Sequence, residues 1–439
     1  MSEELLVDNE LLRCNRCGYC MSTCPTYQAS LSEASVARGR LALVQALRDG
    51  NLEELPELRE PFFDCLLCGA CTESCFSAVK TDEVMVRARQ QFHARHGQPL
   101  AQRAAFRLLR RPARLTTLMR ALGLGKRSGV SRLFRRLGLL RWVSASLEHA
   151  EGLVDTLPVR FLRDRLVGMG FRPQRREGRR LLVLPRDPRA RQVGPRVTYF
   201  IGCGTNFQTP RAGEAALRLL ALAGCEVVVP EHWCCGLPPY SYGDLDTARE
   251  LVRHNLAALR AADGAYLVTD CGSCSRFLKR YAELLGPDDP EAEAARELAA
   301  RARDFTELLA DLPLPDPVRP LGGRVTYHDP CHLGRGQGLR EAPRALLRAA
   351  VGEAYVELPE ADWCCGGAGS YSLTHPELSG AILARKLGNL RATEAAVLTT
   401  ACPSCLLQLS CGVREADLPV RVCHVAELLA QAHGLPLDK

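Results

Sequence analysis

The sequence of 439 residues is short of aromatic side chains, of long apolar runs and, over one extended stretch, of acids. Phe, Trp and Tyr make up 6% of it, yet hydrophobic residues reach 46% and charged ones 24%, so genuine cores can be buried and a disordered chain is excluded. No apolar run approaches the roughly 18 residues of a membrane span. The chain opens Met1-Ser2-Glu3-Glu4, with acids where a secretory signal would carry basic residues. Together these features predict a cytoplasmic protein. Thiols stay reduced in that compartment, so 21 cysteines speak for metal or redox work and against a disulfide framework. At about 150 residues per domain the length predicts roughly three domains.

The shortage of acids is local. Residues 95–141 hold 13 Lys and Arg and no Asp or Glu. Over 95–191 the count is 24 against 6, so the rest of the chain sums to −11 beneath a net charge of +7. Arg107, Arg110, Arg111, Arg114, Arg120, Arg132, Arg135, Arg136 and Arg141 alternate with Phe106, Leu108, Leu109, Leu115, Leu118, Phe134, Leu137 and Leu140 at broadly helical spacing. That pattern predicts basic amphipathic helices broken at Pro112 and around Gly123 to Gly129. Such helices lie on an anionic membrane, dock on an acidic protein, or act as a solvated linker, and the sequence leaves these open. Nucleic acid is not expected, because no recognised binding module accompanies the charge.

Cysteine spacing carries the chemistry. Cys14, Cys17, Cys20 and Cys24 are spaced C-x2-C-x2-C-x3-C with Pro25 following, and Cys65, Cys68, Cys71 and Cys75 repeat the spacing with Phe76 in the proline's place. This run wraps a [4Fe–4S] cube in bacterial-type ferredoxins, where the fourth cysteine of each run ligates the other cluster. On that pattern Cys14, Cys17, Cys20 and Cys75 hold one cube, and Cys65, Cys68, Cys71 and Cys24 the second. Zinc prefers two separated cysteine pairs in a tetrahedral site, so the third cysteine of each run counts against it. Residues 38–48 between the runs read as a helix.

A second pattern is a long internal repeat. Cys203, Cys234-Cys235 and Cys271-x2-Cys274 recur as Cys331, Cys364-Cys365 and Cys402-x2-Cys405, at offsets of 128, 130 and 131 residues. His232-Trp233-Cys234-Cys235-Gly236 matches Asp362-Trp363-Cys364-Cys365-Gly366. Each copy alternates strand-like and helix-like segments, with strands expected over 196–201, 226–229 and 265–269, then over 324–327, 354–358 and 395–399. Helices are expected over 214–221 and 245–262. Strands alternating with helices imply a parallel sheet, and ligands of such sheets collect beyond the carboxyl ends of the strands, where all five cysteines of each copy fall.

The spacings C-x30-CC-x35-C-x2-C and C-x32-CC-x36-C-x2-C resemble the cysteine-rich CCG domain of heterodisulfide reductases. Tandem CCG domains behind a helical dicluster ferredoxin domain resemble the glycolate oxidase iron–sulfur subunit family. So do Cys17-Gly18-Tyr19-Cys20, Cys24-Pro25-Thr26-Tyr27, Arg38-Gly39-Arg40, and the run from Cys364-Cys365-Gly366-Gly367-Ala368-Gly369-Ser370-Tyr371 into Leu373-Thr374-His375-Pro376. Iron–sulfur subunits of lactate-utilisation and anaerobic glycerol-3-phosphate dehydrogenase systems share these motifs.

The resemblance implies an α/β fold with an N-terminal helical dicluster ferredoxin domain, followed by tandem α/β CCG domains with parallel sheets. The expected divisions are 1–94 for the dicluster domain, 95–192 for a basic helical connector, 193–318 for the first CCG domain and 319–439 for the second. It implies an oxidoreductase subunit with two [4Fe–4S] clusters. It allows two further non-cubane [4Fe–4S] clusters, one on Cys203, Cys234, Cys235, Cys271 and Cys274 and one on Cys331, Cys364, Cys365, Cys402 and Cys405. An FAD-containing 2-hydroxy-acid dehydrogenase subunit is the implied partner. Electrons would pass from its flavin to a membrane quinone or similar membrane electron acceptor, which would place the cytoplasmic chain peripherally on the inner face of the membrane. The alternatives are a heterodisulfide-reductase-like subunit with catalytic CCG clusters, or a subunit of a lactate or glycerol-3-phosphate dehydrogenase. Gly202 to Gly204, Gly334 to Gly338 and Gly366 to Gly369 form no GxGxxG turn, so no flavin or nicotinamide site is expected on this chain.

Smaller signals surround these sites. Cys225, Cys411 and Cys423 remain outside every pattern and read as small buried hydrophobes. His328 and His332 flank Cys331, where each would hydrogen-bond a cluster sulfur, move a proton, or fill a structural role. Trp233 and Trp363 precede the paired cysteines and either shield clusters or pack the core. Tyr240, Tyr371 and His375 follow them as candidate lining residues.

Overall fold

The computed structural model describes residues 9–143, 145–154, 156–319 and 321–438, and the acidic opening Met1 to Glu4 lies outside them. Its N-terminal part is helical: Tyr19–Thr23, Pro25–Ser30, Ala37–Arg48, Arg59–Phe63, Ala70–Glu73 and Thr81–His96. The long helix Thr81–His96 buries Val84, Met85, Ala88 and Phe92, a stripe at helical spacing, in one core with Phe62 and Phe63. Helix Ala37–Arg48, expected over 38–48, closes the other side through Leu41.

The basic stretch forms helices Leu100–Leu109, Pro112–Arg127 and Val130–Arg136. Pro112 opens its helix in the first turn, where a missing N–H costs nothing. Gly123 and Gly125 do not break this helix. Gly123 is buried, and a Cβ there would sit 3.0 Å from the Pro158 carbonyl oxygen, so the glycine serves a close approach; the break comes at Gly129, with φ of 79°. The 95–192 stretch is also not wholly helical. Strands β1 (Arg172–Arg176) and β2 (Arg179–Leu184) form a hairpin whose turn, Glu177-Gly178, takes φ of 50° and 73°. β1 is exposed throughout and rich in arginine, a charged edge that resists further strand pairing.

β3 (Arg196–Tyr199), β4 (Glu226–Pro230), β5 (Tyr266–Thr269) and β6 (Ala302–Asp304) join the hairpin in the order β1-β2-β4-β3-β5-β6. All pairs from β4 to β6 are parallel, and β2 adds to β4 antiparallel. β7 (Val325–His328), β8 (Val397–Thr400) and β9 (Arg421–His424) form a second, wholly parallel sheet. The strand expected over 354–358 shrinks to a single parallel bridge between Tyr355 and Val325, because Gly352–Ala354 forms a 3-10 turn directly before it. The same four residues, Arg-Val-Thr-Tyr, form β3 and run from 324 to 327 into β7, which sets the two copies in register.

Helix Pro210–Leu222 of the first copy packs on helix Val425–Ala432 of the second. Ala212, Ala215, Ala216 and Leu219 are fully buried on the first helix, and small residues there let the backbones approach closely. The two sheets thus share one core, and the carboxyl ends of β3, β5, β7 and β8 meet.

Candidate metal centres

None of the 21 cysteines is paired in a disulfide. The two ferredoxin-type loops fold alike. Arg16 and Leu67 have φ of 53° and 52°, and Gly18 and Gly69, with φ of 89° and 72°, then cap helices Tyr19–Thr23 and Ala70–Glu73. Left-handed residues in close succession turn the backbone so that three cysteines of a run face one point, and glycine takes the second without strain. The two helices pack together, with the Thr23 and Ser74 hydroxyls 3.0 Å apart.

The fourth cysteine of the first run reaches the second. Cys24 lines a cleft of ≈ 360 Å³ with Cys65, Cys68 and Cys71. The residues after Cys75 meet the first loop: Asn15 Nδ2 donates to Ser77 Oγ at 3.3 Å, and the Tyr19 and Phe76 rings meet edge to face at 4.9 Å. Pro25 opens helix Pro25–Ser30, whereas Phe76 lies in a turn; no helix starts there, so no proline is needed.

Crowded sulfurs shift each other. Burial pushes the Cys71 thiol well above the ordinary range, and Cys65, Cys68 and Cys24 add to it. Cys68 is pulled down to about 6, first by its hydrogen bond with Cys364 and then, against burial, by Arg335. A cluster with four thiolates is anionic, and this chain buries cations around the second quartet. Arg40 is 2% exposed and donates to the Pro61 carbonyl at 2.7 Å and to Thr26 Oγ1 at 3.3 Å. Burial acts to strip its proton, but Cys65, Cys24 and Asp64 outweigh burial and hold it above the usual arginine range. Arg89, also buried, donates to the carbonyls of Phe62 at 2.9 Å and Cys65 at 2.5 Å.

In the first cysteine-rich copy, Cys203 starts a helix just beyond β3, Cys234 and Cys235 follow β4, and Cys271 and Cys274 follow β5. Cys234 Sγ lies 4.0 Å from Cys203 Sγ, and Cys274 Sγ 3.6 Å from Cys235 Sγ. Hydrogen bonds from Cys234 and Cys274 pull Cys235 down to about 5. The carbonyls of the pair are held from outside: Asn255 Nδ2 donates to Cys234 O at 2.8 Å and the Tyr281 hydroxyl to Cys235 O at 2.8 Å. In the second copy the thiols of Cys331, Cys364 and Cys365 lie close enough to shift one another, as do those of Cys365, Cys402 and Cys405. His328, Cys365 and Cys405 present ligand atoms within 4.8 Å of one another.

The four groups adjoin. Cys364 also adjoins Cys68, inside an apolar cluster of Leu66, Ala70, Trp363, Tyr371 and Ile382. Cys402 adjoins Cys271, with Ser273 Oγ 3.5 Å from Cys402 Sγ and Gly272 N donating to Ala401 O at 3.0 Å. Ion pairs clamp the helical domain onto both copies: Asp82 to Arg276 at 2.8 Å, Glu83 to Arg280 at 2.7 Å, and Glu73 to Arg335 at 3.2 Å.

The remaining thiols differ. Burial pushes Cys225, Cys411 and Cys423 to about 12. Trp233 stacks on His254 at 3.5 Å and Trp363 donates to Ile382 O at 3.1 Å. Tyr371 stacks on His375 at 4.5 Å, Tyr240 packs on Phe277, and His332 Nε2 lies 3.4 Å from Leu67 O. Sequence alone points to Arg40 only as part of a family stretch, and to Arg89, Asn255 and Tyr281 not at all. A buried arginine in a helix has no spacing signature; Asn255, a polar residue on the apolar face of helix Leu245–Arg260, has the nearest thing to one.

Comparison with known proteins agrees with this geometry. Residues 10–79 match the 4Fe-4S dicluster domain, 197–279 and 325–410 the cysteine-rich domain, and 97–154 the linker region of the glycolate oxidase iron–sulfur subunit. The chain is 34% identical to a probable glycolate oxidase iron–sulfur subunit of Bacillus subtilis (strain 168), over 98% of this chain and 96% of that one. It is 37% identical to lactate utilization protein A of Geobacillus kaustophilus (strain HTA426), over 53% of this chain and 98% of that one. One subunit of the dihydromethanophenazine:CoB–CoM heterodisulfide reductase of Methanosarcina barkeri (strain Fusaro / DSM 804) is 27% identical over 97% of this chain and 95% of its own. The donor sets are wholly thiolate in the ferredoxin loops and thiolate-rich in both copies, as iron–sulfur centres require. The chain belongs to the glycolate oxidase iron–sulfur subunit family.

Proposed function

We propose that the chain is the iron–sulfur electron-transfer subunit of a 2-hydroxy-acid dehydrogenase of the glycolate oxidase type. Hydride chemistry belongs to an FAD-containing partner, and the electrons leave for a membrane quinone or similar acceptor. Cys14, Cys17, Cys20 and Cys75 hold the first cube, and Cys65, Cys68, Cys71 and Cys24 the second. The five cysteines of each later copy hold one non-cubane cluster each. The domains divide at 94, 192 and 318, with the hairpin β1-β2 docked on the sheet of the first copy.

The observation that carries this reading is the unbroken sequence of thiol contacts, from the ferredoxin loops through Cys68 and Cys364 to the second copy, and through Cys402 and Cys271 to the first. Each cluster, when bound, takes up and passes on one electron. The chain supplies order and insulation. Leu66, Trp363 and Ile382 exclude water at the first junction, and Arg40, Arg89 and Arg335 balance the added negative charge. Cys17 is exposed, beside Tyr19 and Phe76 at 57% and 83% exposure, which makes this edge the docking face for the flavoprotein.

The basic helices support a peripheral place at the membrane. Among the described residues no helix is long and apolar enough to cross one. Leu118, Leu122, Leu133, Phe134, Leu137 and Trp142 are exposed among the arginines, the composition of a surface that lies on anionic lipid. The test is anaerobic co-purification with a flavin dehydrogenase, followed by substrate-driven bleaching of the iron–sulfur absorbance. A stable complex whose reduced flavin leaves that absorbance unchanged would overturn the assignment.

A second reading has one observation in its favour. A narrow cleft, lined by Asp82, Tyr240, Ser273, Arg276 and His332, touches the ferredoxin loop at Leu67 and both cysteine-rich copies. A disulfide or quinone reduced there would make the chain itself catalytic.

A further inference from the structure

The two cysteine-rich copies keep the same five cysteines but differ immediately before the first of them. After the shared Arg-Val-Thr-Tyr, the first copy continues Phe200-Ile201-Gly202-Cys203 and the second His328-Asp329-Pro330-Cys331. Phe200 is fully buried and stacks on His232 at 4.0 Å. His328, at the carboxyl end of β7, is 1% exposed and faces the sulfurs of Cys365 and Cys405.

The other fully or nearly buried imidazoles spend their nitrogens on the protein. His232 Nε2 accepts from Ile201 N at 3.1 Å, with its Nδ1 2.9 Å from Trp233 O. His424 Nε2 lies 2.9 Å from Asp270 O, and its Nδ1 accepts from Ala426 N at 3.2 Å. His433 reaches Leu429 O at 2.8 Å and Pro315 O at 3.1 Å. Both ring nitrogens of His328 lack a hydrogen-bond partner. A buried polar group left unsatisfied loses its hydration with nothing in return, so a ring used only for packing would be served better by the phenylalanine of the first copy.

Among the described residues, the trio of His328, Cys365 and Cys405 is the one group with three donors drawn within 4.8 Å of one another. Imidazole and thiolate together suit iron and zinc. We propose that a ring nitrogen of His328 is a metal ligand beside Cys365 and Cys405, so that the second copy holds a mixed nitrogen–sulfur centre while the first is wholly thiolate. Asp329 and Arg344, 2.7 Å apart, fix the backbone next to the ring. A neutral imidazole at this position adds a donor without adding negative charge, whereas a thiolate there would add one, so the centre is easier to reduce with histidine at 328 than with cysteine.

This inference rests on the reading that the second copy holds an iron–sulfur cluster, and the test separates the two. Protein labelled with ¹⁵N-histidine is purified without oxygen, reduced, and studied by pulsed EPR beside unlabelled protein, with iron and sulfide assayed on both. The expected result is a strong coupling from a directly bonded histidine nitrogen, changed by the label and absent from His328→Phe and His328→Cys. The cysteine variant keeps the cluster with an all-sulfur donor set even where the phenylalanine variant does not. Its centre should be harder to reduce than the parent's. A full complement of iron and sulfide with no such coupling, or a coupling that survives in His328→Cys, overturns the inference alone. Iron content that does not fall in Cys364→Ser and Cys365→Ser overturns both.

Discussion

The side chain of Cys68, in the second ferredoxin loop, shares one buried cluster with that of Cys364, in the second cysteine-rich copy. These residues lie 296 positions apart in the sequence, yet their contact decides which copy's cysteines adjoin a ferredoxin loop. The cysteine groups therefore run in the order ferredoxin loops, second copy, first copy, the reverse of chain order for the two repeats.

That order has a kinetic consequence. In Cys364→Ser the second copy loses its link to Cys68, so electrons supplied at the ferredoxin loops stop before both copies. Substrate-driven turnover should fall by about an order of magnitude or more, while bleaching of the two cubes persists in rapid-mixing absorbance. In Cys271→Ser the second copy should still reduce.

Arg40 balances charge as well as supporting the fold. Arg40→Met removes a buried cation beside Cys24, Cys65 and Cys71, so adding an electron there becomes less favourable. The potential of the second cube should move negative in a redox titration. Loss of the bonds to Pro61 and Thr26 should lower unfolding stability by about 1.5–3 kcal/mol in a denaturant melt.

Cys225 and Cys423 should tolerate change. Alanine at either position should leave iron and sulfide content untouched and cost about 1 kcal/mol for the small cavity. Cys235→Ser, of the same residue type and equally buried, should lose about four iron atoms.

Arg107, Arg114, Arg132, Arg136 and Arg141 are exposed on the basic helices. Replacing all five by glutamine should abolish sedimentation with anionic vesicles at low salt. The unsubstituted protein should bind them and be released as salt shortens the screening length below about 8 Å.

Much of this was legible in the sequence because cysteine spacing reports loop geometry directly. Apolar runs such as Val227 to Val229, bounded by turns, read as buried strands for the same local reason. What escaped was long-range or masked. Nothing near Cys68 or Cys364 announces their contact. The hairpin β1-β2 hid among arginines, since an exposed edge strand carries no alternation of apolar residues. Gly123 reads as a helix breaker until Pro158 is seen against it. His328 was visible as a histidine near a ligand, but its unpartnered nitrogens belong to the folded site alone.

The most direct test of four linked iron–sulfur centres is a count of iron, zinc and acid-labile sulfide in protein purified without oxygen. The expected result is about 16 iron with matching sulfide per chain. About 8 iron would leave both cysteine-rich copies outside the relay, and stoichiometric zinc without sulfide would contradict the relay altogether.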